Sequence, residues 1–249
     1  MGTELTGLRV QDLGQCDSAA LQQLVTARGV IVLRSQNLDT NSLIKFAALL
    51  GDVVAHPMKP HDFHPQAFRL HNDGDSTYAD GDTWHSDLTW MKAPPLYSVL
   101  MLDTLPSIGG DTAFVSNHAL LQSMSPTFRD FIGRLNAVHQ RTWNGEILAA
   151  AHPMVVRHPI SGLPCLYANS GYTTSINGLR ASESDALLAH LRMTVALGVD
   201  FQCRAAWQEG TVAVWDNQAV QHHASWDYHP DTRSGWRVTV KAAQPTPAT

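Results

Sequence analysis

The chain has 249 residues, 44% of them hydrophobic, and carries a formal net charge of −5. That much apolar material supports one large domain, and an acidic balance without a basic stripe argues against a nucleic-acid surface. No apolar run reaches the roughly 18 residues of a spanning helix, and Met1-Gly2-Thr3-Glu4 is not a charged-then-apolar leader, so a cytoplasmic protein with no membrane partner is expected.

The first fifty residues read strand, helix, strand, helix. Ser18 to Val25 has helical apolar spacing after a Ser or Asp cap, Gly29 to Leu33 is a buried strand, and Asn41 to Leu50 is a second amphipathic helix ended by Gly51. From His56 to Asp82 the pattern gives way to a long polar and aromatic segment bearing Pro and Gly. A loop of that length inside a compact domain reads as an active-site lid. Strands then follow at 97–102, 112–115, 154–158 and 166–169, a helix at 183–197, and strands near 201–207, 211–215, 219–225 and 236–242. Short strands with Gly- and Asn-bearing turns predict a mainly β fold with flanking helices, a jelly roll occupying residues 1–249 as one domain. Cys16, Cys165 and Cys203 form no CxxC and read as reduced, buried thiols.

Thirteen histidines make any His-x-Asp pair coincidence-prone. The run Trp84-His85-Ser86-Asp87 gains weight from Gln221-His222-His223-Ala224 far downstream. On an extended strand His85 and Asp87 share a face, and of the adjacent His222 and His223 only one can join them. Two imidazoles and one carboxylate are the ligand set that leaves open positions on Fe(II) for a co-substrate and O2. The glycine turn Gly109-Gly110 leads to Thr112, whose hydroxyl can donate to a carboxylate. Arg233 and Arg237 offer guanidinium forks for a dicarboxylate end. Trp215-Asp216-Asn217 reads as a structural turn, and Trp90 walls the pocket only if the chain turns after Asp87.

Taken in order, these motifs resemble the taurine dioxygenase (TauD/TfdA) family of Fe(II)- and 2-oxoglutarate-dependent dioxygenases, from about Leu8 to Ala243. The resemblance also rests on Gly29-Val30-Ile31-Val32-Leu33-Arg34, Ala93-Pro94-Pro95 and Asp227-Tyr228. It implies a double-stranded β-helix of cupin-like jelly-roll type, with His85, Asp87 and His222 as metal ligands. It implies Fe(II), 2-oxoglutarate and O2 as cofactors, hydroxylation of a substrate C–H bond, and release of succinate and CO2. It matches Arg237 to the arginine that pairs with the distal carboxylate of 2-oxoglutarate, with Thr112 in support and Arg233 as a second arginine nearby. Family members are often dimers or tetramers, so a homo-oligomer is an expectation.

Taurine-oxidising members meet the sulfonate with a lid histidine, an aromatic residue and an asparagine. His56 matches the first, while Lys59 and Gly81 replace the others, so taurine itself is not expected. Leu88 and Tyr172 match cavity-lining positions. The substrate is expected to be a small molecule with an anionic head, faced by His56 and an inward-pointing Lys59, and an aliphatic or aromatic body. Two other classes fit the ligand triad alone. One is a cupin-type zinc or manganese hydrolase or isomerase, and the other a jelly-roll binding module without catalysis. The first leaves Thr112 and Arg237 without a purpose, and the second does not account for a full ligand triad kept together with the co-substrate arginine.

Overall fold

The computed structural model describes residues 1–57 and 64–248; Lys59 lies outside them. Seven strands form the main sheet. In order they are Thr3–Leu5, Val30–Leu33, Val212–Asp216, Tyr97–Thr104 and Arg233–Val240, with Val53–Val54 and Phe68–Asn72 both pairing along the far edge of the last. A second sheet pairs Thr112–Ser116 antiparallel with Gln202–Ala205 on one side and Val220–Ala224 on the other.

The period-two pattern of β-branched and apolar residues explains how these sheets meet. Ile31, Leu33, Val99, Met101, Val212 and Val214 face one way, under the helices Ser18–Arg28 and Thr40–Ala48. Their neighbours Val30, Val32, Leu100, Leu102 and Trp215 face the other way and pack on Phe114 and Val220 of the second sheet. Two facing sheets with helices outside are the jelly roll that the sequence predicts. Among the described residues, no helix is long and apolar enough to cross a membrane.

Three expectations change. The segment 56–82 is not loop throughout, because Phe68–Asn72 is an edge strand on Arg233–Arg237. The sequence reading also passed over a hairpin of Asn136–Trp143 and Glu146–Pro153, which closes through Asn144-Gly145 with φ of 48° and 81°. Asn-Gly is the dipeptide that tolerates two positive φ values in a two-residue turn. All three cysteines are free thiols, but only Cys165 is buried, and Cys16 is exposed.

The hairpin carries two histidines into the interior. His139 Nδ1 bonds Thr89 Oγ1 at 2.9 Å, and His152 Nε2 donates to the carbonyls of Thr89 and Met91 at 2.8 and 2.9 Å. Burial, helped by the neighbouring His152, pushes the His139 pKa down to about 3. Burial lowers that of His152 as well, against the two carbonyl hydrogen bonds.

Both rings are thus neutral in the fold but protonate in the unfolded chain near pH 6.5. The unfolded state then binds protons the native state refuses, so stability falls as pH drops below about 6.5, by up to about 1.4 kcal/mol per pH unit for each group. Urea midpoints measured between about pH 6 and 4 should fall more steeply for the native protein than for His139→Gln. Equal slopes would remove His139 from the acid response.

Candidate metal centre

Backbone pairing brings His85 and His222 together. The His85 amide donates to the His222 carbonyl at 3.0 Å and the His222 amide to the His85 carbonyl at 2.7 Å, an isolated antiparallel bridge. Residues that exchange both bonds project side chains to one face, and the two rings lie 4.1 Å apart between centroids. His223 points the other way, toward Trp84 and, at 3.5 Å, Asp82. His222 is therefore the histidine that shares the pocket with His85.

Asp87 does not lie on the extended strand that the His-x-Asp spacing suggested. The chain turns over 87–90, with Leu88 at φ 54°, and a net of hydrogen bonds sets the carboxylate instead. The Asp87 amide donates to Asn217 Oδ1 at 3.1 Å, Asn217 Nδ2 donates to Ser98 Oγ at 2.9 Å, and Ser98 Oγ donates to Asp87 Oδ2 at 2.6 Å. Trp215 Nε1 donates to the same Asn217 oxygen at 3.0 Å. The turn Trp215-Asp216-Asn217 thus reaches the site through Asn217, a role its sequence did not disclose. The turn at 87–90 also delivers Leu88 and Trp90 to the cavity wall.

Asp87 Oδ1 faces His85 Nε2 at 3.7 Å, His222 Nε2 at 3.8 Å and Arg237 Nη1 at 2.7 Å. Burial alone would raise the carboxyl pKa, but Arg237 and then the two histidines outweigh it and hold Asp87 well below the usual carboxylate range. Burial lowers the pKa of both histidines. A neutral imidazole pair around an ionised carboxylate is the protonation state in which these groups ligate a metal. His85 Nδ1 bonds the Thr83 carbonyl at 2.7 Å, which places the ring proton there and leaves the Nε2 lone pair facing inward. Three donor atoms within 4.8 Å of one another, one carboxylate oxygen and two imidazole nitrogens, fit a divalent iron ion.

Above them lies a cavity lined by His56, Leu88, Trp90, Thr112, Tyr172, Arg233 and Arg237, which the sequence singled out, together with His85 and His222. The two arginines have separate partners. Arg233 Nε donates to the Gly110 carbonyl at 2.9 Å, and its Nη2 lies 3.4 Å from Thr112 Oγ1. A side chain at Gly110, where φ is 72°, would meet Arg233 Cδ at 3.1 Å. Arg237 instead pairs with Asp87, stacks over Phe68 and lies 3.4 Å from His56 Nε2. Thr112 therefore stands beside Arg233. Gly81, at φ 93°, lies against His85, and an added Cβ would come within 3.2 Å of that ring. Phe68, Asp80, Arg141 and Trp143 line the cavity without having been foreseen. For the last two, the readable signal was the Asn144-Gly145 turn.

The profile of the family described as "Taurine catabolism dioxygenase TauD, TfdA family" matches residues 1–239. An alpha-ketoglutarate-dependent sulfate ester dioxygenase of Pseudomonas putida is 31% identical over 98% of this chain and 88% of its own length. An alpha-ketoglutarate-dependent sulfonate dioxygenase of Saccharomyces cerevisiae is 28% identical over 98% of this chain, which spans 66% of that relative. The crystal structure of a taurine dioxygenase from Burkholderia xenovorans superposes with a TM-score of 0.86 at 29% identity, covering 99% of this chain and 88% of that one.

Because Ser98 and Asn217 orient Asp87 without touching His85 or His222, Ser98→Ala should weaken Mn(II) binding by about tenfold to a hundredfold while the fold persists. Electron paramagnetic resonance of free Mn(II) reads this directly. Unchanged affinity would show that Asp87 needs no such support.

Proposed function

Because the chain belongs to the TauD/TfdA family, and is accordingly a 2-oxoglutarate-dependent non-haem iron dioxygenase, we propose that it oxidises a C–H bond of a monoanionic sulfonate or sulfate ester whose head group Arg237 and His56 hold. His85, Asp87 and His222 hold the iron, and Arg233 with Thr112 takes the distal carboxylate of 2-oxoglutarate. Bound Fe(II) and 2-oxoglutarate supply the reduction of O2, with release of succinate and CO2, that oxidises the substrate.

The observation that carries this reading is the separation of the two arginines. They stand four residues apart on the strand Arg233–Val240, so they share a face at Cα positions roughly 13 Å apart. One co-substrate carboxylate does not need both. Counting charge leads to the same division. Asp87 and the chelating carboxylate of 2-oxoglutarate offset the two charges of Fe(II), and the distal carboxylate offsets Arg233. Arg237 then has one anion to receive. This exchanges the roles that the resemblance suggested for Arg233 and Arg237. The reason is the partner on each side, Thr112 for Arg233 and the metal carboxylate with His56 for Arg237.

Leu88, Trp90, Trp143 and Tyr172 form an apolar cluster beside the ligands. It excludes water from the reacting carbon and matches an alkyl or aryl body. A hydrolase or a binding module, the alternatives open on the sequence, gives the paired Arg233 and Thr112 no task.

Steady-state succinate release with hexyl sulfate or hexanesulfonate distinguishes the two arginines. Arg233→Gln should raise the KM for 2-oxoglutarate by about tenfold to a hundredfold, the loss expected for a charge-assisted hydrogen bond. Arg237→Gln should raise the KM for the organic anion instead. The opposite pairing would return the two residues to their first assignment.

A further inference from the structure

Arg141 and Trp143 leave the strand Asn136–Trp143 on one face and enter the cavity together. Arg141 Nη2 pairs with Asp80 Oδ1 at 3.2 Å, its Nη1 lies 3.4 Å from the Tyr172 hydroxyl, and the guanidinium sits 5.9 Å from the Tyr172 ring centroid. Tyr172 in turn meets the His85 ring edge-on at 5.8 Å. A continuous series thus runs outward from a metal ligand, through Tyr172, to an ion pair whose side chains are 27% and 39% exposed. Asp80 is steadied from behind, since Ala224 N donates to the Gly81 carbonyl at 2.9 Å and Asn72 Nδ2 to the Tyr78 carbonyl at 2.9 Å.

Arg141 is not a second head-group site. Asp80 already offsets its charge, and the cavity wall beside it is apolar, made by Leu88, Trp90, Trp143 and Tyr172. A second, more open pocket adjoins the first. It shares Tyr78, Asp80, Gly81, His85, Arg141 and Tyr172 with the first and continues to Asp82, Thr83 and Trp226. The ion pair is therefore a partition between two spaces. Being half-exposed and screened by water, it is readily parted.

We propose that the Arg141–Asp80 pair, with Tyr172, closes the side of the substrate cavity that adjoins the second pocket and sets the longest apolar body the enzyme accepts. The inference rests on the monoanion reading above. Substrates with a short alkyl or aryl body fit between Arg237 and the clasp, and longer chains are turned over only by entering the second cavity.

The test is a chain-length series of linear alkyl sulfates and sulfonates, from ethyl to dodecyl. Two readouts are taken: succinate release by the iron-loaded enzyme, and quenching of tryptophan fluorescence in metal-free protein, where Trp90 and Trp143 line the cavity. The native enzyme should favour short chains. In both Arg141→Ala and Asp80→Ala, which open the partition from opposite sides, the ratio of kcat/KM for dodecyl over butyl should rise at least about tenfold. Quenching should extend to the long chains in parallel. An unchanged ratio in either folded variant, or a native enzyme indifferent to chain length, overturns the clasp. Absence of stimulated succinate and of quenching with every member of the series overturns the monoanion reading itself.

Discussion

The structure turns on one buried carboxylate. Asp87 is 1% exposed, and an ionised group at that depth is sustained only where opposite charge and hydrogen-bond donors surround it. The protein draws those partners from four separate strands or turns. Ser98 comes from the central strand of the main sheet, Asn217 from the turn that ends its neighbour, His222 from the second sheet, and Arg237 from the strand on the other side. All but Ser98 lie more than a hundred residues from Asp87, so the site exists only when the two sheets are fully assembled. The same enclosure leaves one oxygen of the carboxylate directed at both imidazoles, which is what a single metal ion requires.

The functional polarity of the cavity follows from period-two geometry. Alternate residues of Arg233–Val240 supply the core with Val238 and Val240 and the cavity with Arg233 and Arg237. One strand therefore presents two cations in a row, and the strands beside it decide what each cation meets. Gly110 and Thr112 stand beside the first, Asp87 and His56 beside the second. On the proposed reading, both anion seats come from a single strand.

Much of this was legible before folding was considered. The grouping of His85, Asp87 and His222 could be read because metal chemistry restricts residue type, because strand alternation allows only one of His222 and His223 into the pocket, and because the family resemblance points to His222. The jelly roll was legible from short alternating strands punctuated by turns. What escaped were properties fixed by contacts between distant segments. The spacing of His85 and Asp87 suggested a strand, whereas hydrogen bonds from Asn217 and Ser98 favour a turn. The division of labour between Arg233 and Arg237 depends on which side chains the adjoining strands place opposite them, and spacing along one strand carries no such information. Arg141 was overlooked because its hairpin reaches the cavity only by packing against the turn at 87–90, through His139 and His152. The hairpin itself was announced by Asn144-Gly145; where it points was not.

The most direct measurement is visible absorption on anaerobic addition of Fe(II) and then 2-oxoglutarate to the protein. If His85, Asp87 and His222 seat the iron with open positions for the co-substrate, the charge-transfer band of the chelate forms in the native protein. It should be retained in His223→Ala and lost in Asp87→Ala and His222→Ala. A band that persists without Asp87, or that never forms in the native protein, would contradict the iron seat.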